Sequence, residues 1–272
     1  MLWLSLIFGA VVGLSLGLTG GGGAIFAVPL LVYGLRVDTR EAVTISLAAV
    51  GATSFVGFLH RWKLCQVEIR TGFLFAVAGM AGAPVGTWIA RFLPETVLLV
   101  SFAGLMVIVA VRLWQQASHA VLPGPTCPAS ETVDGPTCRR DAAGVLILNS
   151  RCAVLLLIVG VFTGVLSGVF GVGGGFVIVP SLVLFSGMSI HRAVGTSLMV
   201  IALVSVSGIA SQIGAGHEIS LEITALFVIG GIVGLFVGQR IGRHLSGPAL
   251  QKVFVLAILA VAVFVIVRNI SA

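Results

Sequence analysis

Charged residues are scarce in this sequence of 272 residues. Only 9% of them are Asp, Glu, Lys or Arg, whereas a soluble domain carries about 25%. Hydrophobic residues make up 58%, and the apolar runs repeatedly reach the roughly 20 residues that a helix needs to cross a bilayer. This composition excludes an ordinary soluble domain and predicts an all-α polytopic membrane protein.

Acidic residues are fewer than basic ones, and none lies in the middle of an apolar run. Glu68, Glu95, Glu218 and Glu222 fall in loops or at predicted helix ends, which argues against a buried proton relay or a carboxylate cation site. The sequence has no His-Glu-x-x-His motif, and its four cysteines match no zinc pattern. We therefore expect neither an enzyme nor a bound metal or cofactor.

The net charge of +6 does not by itself indicate a nucleic-acid partner. Basic residues in the short loops of a membrane protein mainly set its orientation, and the sequence shows no large basic and aromatic surface. The expected partners are the lipid bilayer and a small anionic substrate, with no nucleic acid. Assembly into a homo-oligomer stays open.

An internal duplication organises the chain. Residues 20–23 are four glycines, residues 171–175 read Gly-Val-Gly-Gly-Gly, and Pro29 and Pro180 follow at the same distance. A shift of 151 positions superimposes the two regions, with 14 identical residues in the 39 positions from Gly9 to Leu47. Chance does not keep glycines and a proline in step, so the two halves repeat one plan.

Each glycine run breaks an apolar helix. Glycine costs a helix about 1 kcal/mol per residue relative to alanine, and a break within hydrocarbon needs protein or water to satisfy the freed backbone groups. Helices that restart at Ala24 and Gly175 would present N–H groups and a positive dipole end, which suit an anion. Close helix packing is the alternative interpretation, but paired breaks in two repeats resemble those of secondary transporters and favour a binding site.

The glycine-broken blocks decide the predicted topology. If each crosses the membrane once, the 15 Lys and Arg residues divide 8 to 7 between the two sides. If each crosses twice, or forms a hairpin on one face, they divide 11 to 4. The usual excess of basic residues on the cytoplasmic side favours the second count. It predicts two inverted repeats of about five helical elements each, with both termini periplasmic or extracellular.

Three regions follow from this topology. Residues 1–113 form the first transmembrane repeat, residues 114–148 a disordered cytoplasmic linker rich in proline, and residues 149–272 the second transmembrane repeat. Small residues recur at every fourth position on two equivalent helices, which predicts tight helix contacts. They are Gly230, Gly234, Gly238 and Gly242 on one helix, and Gly82, Gly86 and Ala90 on the other.

Hydroxyl residues near the glycine runs complete the candidate site. Ser46 and Ser197 occupy equivalent positions in the two repeats, one short helix beyond each break. A serine or threonine in a membrane helix usually bonds its own backbone, and the duplication is what singles out this pair. The predicted substrate-binding residues are Thr19, Gly20, Gly21, Gly22, Gly23, Ser46, Gly171, Gly173, Gly174, Gly175, Thr196 and Ser197. Pro29 and Pro180 are predicted to be structural.

Four segments carry a resemblance to a known family. They are residues 17–23 (Gly-Leu-Thr-Gly-Gly-Gly-Gly) with Pro29, residues 42–47 (Ala-Val-Thr-Ile-Ser-Leu), residues 168–175 (Gly-Val-Phe-Gly-Val-Gly-Gly-Gly) with Pro180, and residues 193–198 (Ala-Val-Gly-Thr-Ser-Leu). In these segments the chain resembles the sulfite exporter TauE/SafE family of membrane permeases, and the resemblance covers nearly everything except the linker. It implies a permease for small sulfur-containing anions in the inner membrane.

Two hypotheses about function follow. The first is a secondary transporter for a sulfur-containing anion such as sulfite or an organosulfonate, which is held by the helix N-termini at the two breaks and moved by alternating access between the repeats. The second is a non-transporting structural or assembly subunit of a membrane complex, whose glycines serve packing alone.

Overall fold

The computed structural model describes residues 2–118, 139–140, 146–147, 150–171, 175, 178–179, 181–182, 188, 190–214, 220–242, 259 and 261. Most of the predicted linker 114–148 and of the predicted helix 249–267 lies outside the described residues. The division of the chain into three regions therefore stays a prediction.

The described residues are helical apart from short connections and one pair of strands. In chain order the elements are α1 (Leu2–Thr19), α2 (Ala27–Pro29), α3 (Thr39–Lys63), α4 (Ile69–Phe92), α5 (Glu95–Ser118), β1 (Arg139–Arg140), β2 (Leu146–Ile147), α6 (Ser150–Phe170), α7 (Ile190–Gly214) and α8 (Leu221–Gly242). The strands β1 and β2 pair antiparallel. A 3₁₀ turn (Gly22–Phe26) precedes α2 and a π turn (Leu30–Gly34) follows it. We call residues 22–34 the first short arm.

Five of the described helices are long and apolar enough to cross a bilayer, namely Thr39–Lys63, Ile69–Phe92, Cys152–Phe170, Arg192–Gly214 and Leu221–Gly242. Three shorter apolar segments accompany them, Trp3–Thr19, Gly22–Gly34 and Thr96–Ile108. Phe75, Phe102 and Phe227 fill the core, whereas large apolar side chains such as Trp3 and Leu221 are exposed. An apolar exterior suits lipid, and the predicted all-α polytopic membrane fold is confirmed.

The first glycine run turns the chain back along α1. Gly20 has a φ of 76°, a conformation that glycine adopts without the strain of a side chain. The first short arm then runs antiparallel to α1, with Gly23 against Leu16 and Gly34 against Phe8. This half therefore contains a hairpin that returns to the end of the bundle where α1 begins. The first short arm starts at Gly22, not at Ala24 as predicted, because a tighter 3₁₀ turn forms before the α-helical one.

Helices pack across the boundary between the two halves. In α1 against α8, the residues Gly9, Gly13 and Gly17 face Phe227, Gly231 and Leu235 in that order, so the two helices run in the same direction. In α6 against α4, the residues Gly160, Gly164 and Gly168 face Phe75, Gly79 and Ala83 in the same way. The two contacts are equivalent under the 151-residue shift. Each half thus supplies a helix to the other.

The predicted small-residue stripes lie in these two contacts. A methyl group on Gly230, Gly234 or Gly238 would strike the backbone of α1, and one on Gly82 or Gly86 would strike the backbone of α6. Such close approach is the contact that small residues permit in membranes. The predicted role of the stripes in packing is confirmed for these glycines.

Equivalent helices of the two halves run in opposite directions. Shifting α3 by 151 positions gives residues 190–214, the bounds of α7. Along their interface Leu47 lies near Gly208, Gly51 near Ser205 and Gly57 near Leu198, so α3 and α7 are antiparallel. We call the end of the bundle where α3 ends the linker end, because α5 also ends there, and the other end the far end. The contacts fix the directions of the helices but not the position of a bilayer, so an inverted repeat within a membrane stays a prediction.

Candidate functional site

The two glycine breaks meet inside the bundle. A methyl group on Gly21 would lie 2.5 Å from the carbonyl oxygen of Gly175, and a methyl group on Gly175 would lie 2.7 Å from the α-carbon of Gly21. The whole first run, residues 20–23, is buried, and so are Gly171 and Gly175. The two runs are therefore brought to one place, with their backbones in direct contact.

Two crossed hydrogen bonds tie the breaks to the opposite halves. The hydroxyl of Ser46 donates to the carbonyl oxygen of Gly171 at 2.7 Å. The hydroxyl of Ser197 lies 2.6 Å from the carbonyl oxygen of Gly20 and shares its proton with the carbonyl oxygen of Val194 at 2.8 Å. Both serines are fully buried. The donors are repeat equivalents and so are the acceptors, which means that the duplication has kept one interaction twice. A bond of this kind contributes about 0.5–1.5 kcal/mol net.

The first glycine of each break needs to be glycine for two reasons. Gly20 and Gly171 have φ values of 76° and 69°, in the region that disfavours any side chain. A methyl group would also strike Val194 at Gly20 and Val43 at Gly171. Val43 and Val194 are again repeat equivalents. Each break is therefore held between a serine and a valine of the other half.

Thr19 closes the end of α1. Its hydroxyl donates to the carbonyl oxygen of Ser15 at 2.7 Å and accepts a hydrogen bond from the N–H of Gly22 at 3.0 Å. One of the N–H groups at the break is thus already satisfied by protein. Pro29 is buried in α2, within the first short arm, and its structural role stays a prediction.

Thr196 contacts a different part of the chain from Ser197. Its hydroxyl accepts a hydrogen bond from the N–H of Glu68 at 3.0 Å, in the loop between α3 and α4. Adjacent residues of a helix point about 100° apart, and its predicted part in binding stays a prediction. Of the other predicted residues, Gly173, Gly174 and Pro180 lie outside the described residues.

A second pair of equivalent serines was not predicted. Ser54 in α3 and Ser205 in α7 are fully buried, and the hydroxyl of neither has a hydrogen-bond partner. Each is the sixteenth residue of a 25-residue helix, and therefore lies near the middle of the bundle. The same 151-residue shift relates them, but they fall beyond the stretch in which the duplication is strongest. Extending the 151-residue comparison of polar residues beyond Leu47 would have found them.

A small cavity opens at the far end, beside the second break. It has a volume of about 20 Å³, and its polar lining comes from Thr39, Arg40, Thr87, Arg91 and Gln212. Val43, Ala90, Leu98 and Val169 form its apolar wall. One sequence signal could have pointed to this cavity, namely the count of basic residues on each side of the membrane. That count assigned Arg40 and Arg91 to the side with few basic residues.

Another cavity lies at the linker end. It measures about 250 Å³ and is lined by His60, Phe236, Gln239 and Arg240. The amide nitrogen of Gln239 is buried and has no hydrogen-bond partner. Among the described residues, no three His, Cys, Asp or Glu side chains come together in a way that could hold a metal ion. Arginine supplies the charge in both cavities, Arg40 and Arg91 at the far end and Arg240 at the linker end, and neither of the described linings contains an acidic residue.

Comparison with known proteins gives a consistent result. Residues 5–265 match the family model described as "Sulfite exporter TauE/SafE". A "Probable membrane transporter protein" of Xylella fastidiosa is 33% identical over 266 residues, which cover 96% of this chain and 93% of that protein. The "Probable membrane transporter protein YdhB" of Bacillus subtilis is 25% identical, covering 85% of this chain and 86% of that protein. The "Probable membrane transporter protein MJ0441" of Methanocaldococcus jannaschii is 26% identical, covering 96% and 93%.

The family match spans both glycine breaks, both crossed hydrogen bonds and every described transmembrane helix. The predicted family resemblance is confirmed over nearly the whole chain. This multi-pass membrane protein belongs to the sulfite exporter TauE/SafE family of membrane transporters.

Proposed function

We propose that this protein is a secondary transporter that carries a small sulfur-containing anion, such as sulfite or an organosulfonate, across the inner membrane, and that it is not an enzyme. The observation that carries the proposal is the pair of crossed bonds, Ser46 to Gly171 and Ser197 to Gly20. They join two equivalent helix breaks from opposite halves into one buried unit, which is the arrangement that secondary transporters use for binding. Family membership supports transport, and the family description supports sulfite as the first anion to test.

The two halves would act as inverted repeats. The antiparallel course of the equivalent helices α3 and α7 supports this arrangement. Ser46 and Ser197 are each the eighth residue of their helix, so at 1.5 Å per residue each lies about 10 Å from the start of its helix. Because the helices start at opposite ends, the Ser46 bond lies toward the far end and the Ser197 bond toward the linker end.

This placement suggests how access could alternate. Opening toward the far end would break the bond between Ser46 and Gly171 and keep the bond between Ser197 and Gly20, and opening toward the linker end would do the reverse. The breaks are in contact at Gly21 and Gly175, so an anion between them requires their backbones to separate. The N–H groups of Gly20, Gly22 and Gly171 already donate within the chain. The remaining N–H groups after each break, with the serine hydroxyls, would then replace its hydration.

The proposed orientation places the linker end in the cytoplasm. Arg61 and Lys63 end α3 there, Arg70 begins α4, Arg192 lies in the first turn of α7 and Arg240 in the last turn of α8. The described basic residues at the far end are Arg36, Arg40 and Arg91. An excess of basic residues marks the cytoplasmic side, which supports periplasmic or extracellular termini.

Reconstitution tests the proposal. The purified protein in liposomes should take up ³⁵S-labelled sulfite, or labelled taurine or thiosulfate, faster than protein-free liposomes. A variant that carries both Ser46→Ala and Ser197→Ala should show reduced uptake at equal protein content. If the parent moves none of these anions, the alternative of a non-transporting membrane subunit is favoured, and the glycines serve packing alone.

A further inference from the structure

The far-end cavity lies directly outside the second glycine break. Val43 and Val169 belong to its apolar wall. Val43 is also the residue that a methyl group on Gly171 would strike, and Val169 precedes Gly171 by two positions. One layer of valine side chains therefore separates this cavity from the break. The cavity is the far-end approach to the bond between Ser46 and Gly171.

The charged side chains that line the cavity are all cationic. Arg40 and Arg91 are exposed at its mouth, whereas Thr39, Thr87 and Gln212 are more than nine-tenths buried. None of the lining residues is acidic. Within the described part of the chain, neither guanidinium forms an ion pair. Guanidinium groups bind oxyanions in a bidentate geometry, which makes arginine suited to this role.

The nearby carboxylates are engaged elsewhere. Asp38 accepts a hydrogen bond from the backbone N–H of Arg40 at 3.2 Å and caps the start of α3. Glu41 accepts a hydrogen bond from the hydroxyl of Ser220. Neither lines the cavity. Both carboxylates thus have hydrogen-bond partners of their own outside the cavity lining.

The two arginines at the cavity account for most of the described basic residues at the far end. The far end carries only three of the basic residues whose side chains the structure describes, Arg36, Arg40 and Arg91, and two of them lie at this cavity. The side of a membrane protein that faces away from the cytoplasm is normally poor in such residues. Orientation alone does not explain why two of the three converge on one opening.

We propose that Arg40 and Arg91 form an oxyanion-binding vestibule at the far end, with Thr39 and Gln212 at its floor, where the substrate anion is held before or after it passes the valine layer. This inference rests on the proposed function and adds a second site to it. The closed part of the cavity has room for about one water molecule. The anion therefore stays between the guanidinium groups until Val43 and Val169 move apart.

Substitution of the vestibule arginines should change the KM more than the maximal rate of transport. In phosphatidylcholine liposomes, Arg40→Gln and Arg91→Gln should each raise the KM for ³⁵S-sulfite a few-fold, and the double variant about tenfold, which is the range for exposed charge contacts. The maximal rate should change less than twofold. The increase should shrink at high ionic strength, because salt screens exposed charges. Arg36→Gln is the matched control, since it removes one positive charge from the same end without touching the cavity, and its KM should stay at the parent value.

A binding measurement distinguishes this inference from the proposed function. Sodium sulfite titrated calorimetrically into the detergent-solubilised parent should bind, and binding to the double variant should be about tenfold weaker. If the parent binds sulfite without transporting it, and the double variant binds it about tenfold more weakly, the proposed function fails while an oxyanion site at Arg40 and Arg91 stands. If the parent transports and the double variant behaves like Arg36→Gln, the vestibule is wrong. If the parent neither binds nor transports sulfite, taurine or thiosulfate, both are wrong.

An anionic lipid headgroup has the same chemistry as a free oxyanion, and the liposome composition distinguishes them. If the double variant differs from the parent only in liposomes that contain phosphatidylglycerol, the arginines bind lipid phosphate and the vestibule is overturned. If it differs equally in pure phosphatidylcholine, the free anion is the ligand. Arg40→Lys and Arg91→Lys keep the positive charge but lose the bidentate geometry, so each should bind sulfite more tightly than the corresponding Gln variant and more weakly than the parent.

Discussion

Gly21 lies with its backbone against the carbonyl group of Gly175, although the two residues belong to different halves of the chain. A single methyl group on either residue would push the halves apart. This contact places both glycine runs at one point of the bundle, and it makes the small size of glycine as important there as its conformational freedom. The consequences can be tested separately for the breaks, the serines, the packing stripe and the topology.

Replacing the first glycine of a break should harm both stability and transport. In Gly20→Ala, the positive φ costs an L-residue about 1–2 kcal/mol, and the new methyl group runs into Val194. We expect a lower melting temperature and loss of uptake. Gly104→Ala is the control, because a methyl group there meets nothing within 4 Å and alanine favours the helix. It should melt at or above the parent temperature, and equal behaviour of the two variants would contradict the structure.

The two pairs of buried serines should respond in opposite ways. Ser46→Ala and Ser197→Ala each remove a cross-half hydrogen bond and should lower the free energy of unfolding by about 1 kcal/mol. Ser54→Ala and Ser205→Ala each remove a buried hydroxyl without a partner, so their stability should be unchanged or higher. Thermal melts of the four purified variants measure this. Ser101→Ala, whose hydroxyl bonds only Leu98 of the same helix, controls for the substitution itself. If Ser46→Ala melts no lower than Ser101→Ala, the crossed bond does not contribute to stability.

A substitution in the packing stripe should reduce folding and stability more than transport. Gly234→Ala places a methyl group against the backbone of Ala10 in α1, which forces the helices apart and loses dispersion contacts along their length. We expect lower expression and a lower melting temperature than for Gly104→Ala. The fraction that does fold should keep the KM of the parent, since Gly234 lines neither cavity. A raised KM with normal stability would instead place the stripe in the transport path.

Cysteine labelling tests the orientation. Cys65 is an exposed free thiol between α3 and α4 at the linker end, and the proposal places it in the cytoplasm. In variants with the other cysteines replaced by serine, an impermeant maleimide should not reach Cys65 in intact cells but should reach it after the membrane is permeabilised. Glu222→Cys, at the far end in the first turn of α8, should react in intact cells when Cys65 is replaced by serine. Equal labelling of both positions in intact cells would rule out the inverted repeat.

The sequence determined much of the class and plan of this protein. Few charges and long apolar runs specify membrane helices, because the free energy of placing a segment in lipid depends mainly on its own composition. The glycine runs at residues 20–23 and 171–175 predicted breaks, because glycine acts on the backbone at its own position. The paired Ser46 and Ser197 were visible because a duplication compares each residue with its equivalent. Each of these signals is local, or depends on a fixed shift along the chain.

Only the tertiary structure decided which surfaces meet. The stripe at Gly230, Gly234 and Gly238 predicted a close contact but not that its partner is α1 of the other half, since many helices could fit a groove of small residues. Thr196 was grouped with Ser197 because they are adjacent, yet the helix turns about 100° between them, and Thr196 instead bonds the loop at Glu68. The cavity at Arg40 and Arg91 exists because the ends of five helices, α3 to α7, converge there. Such convergence depends on the packing of distant segments in three dimensions, which the pattern along a single chain does not specify.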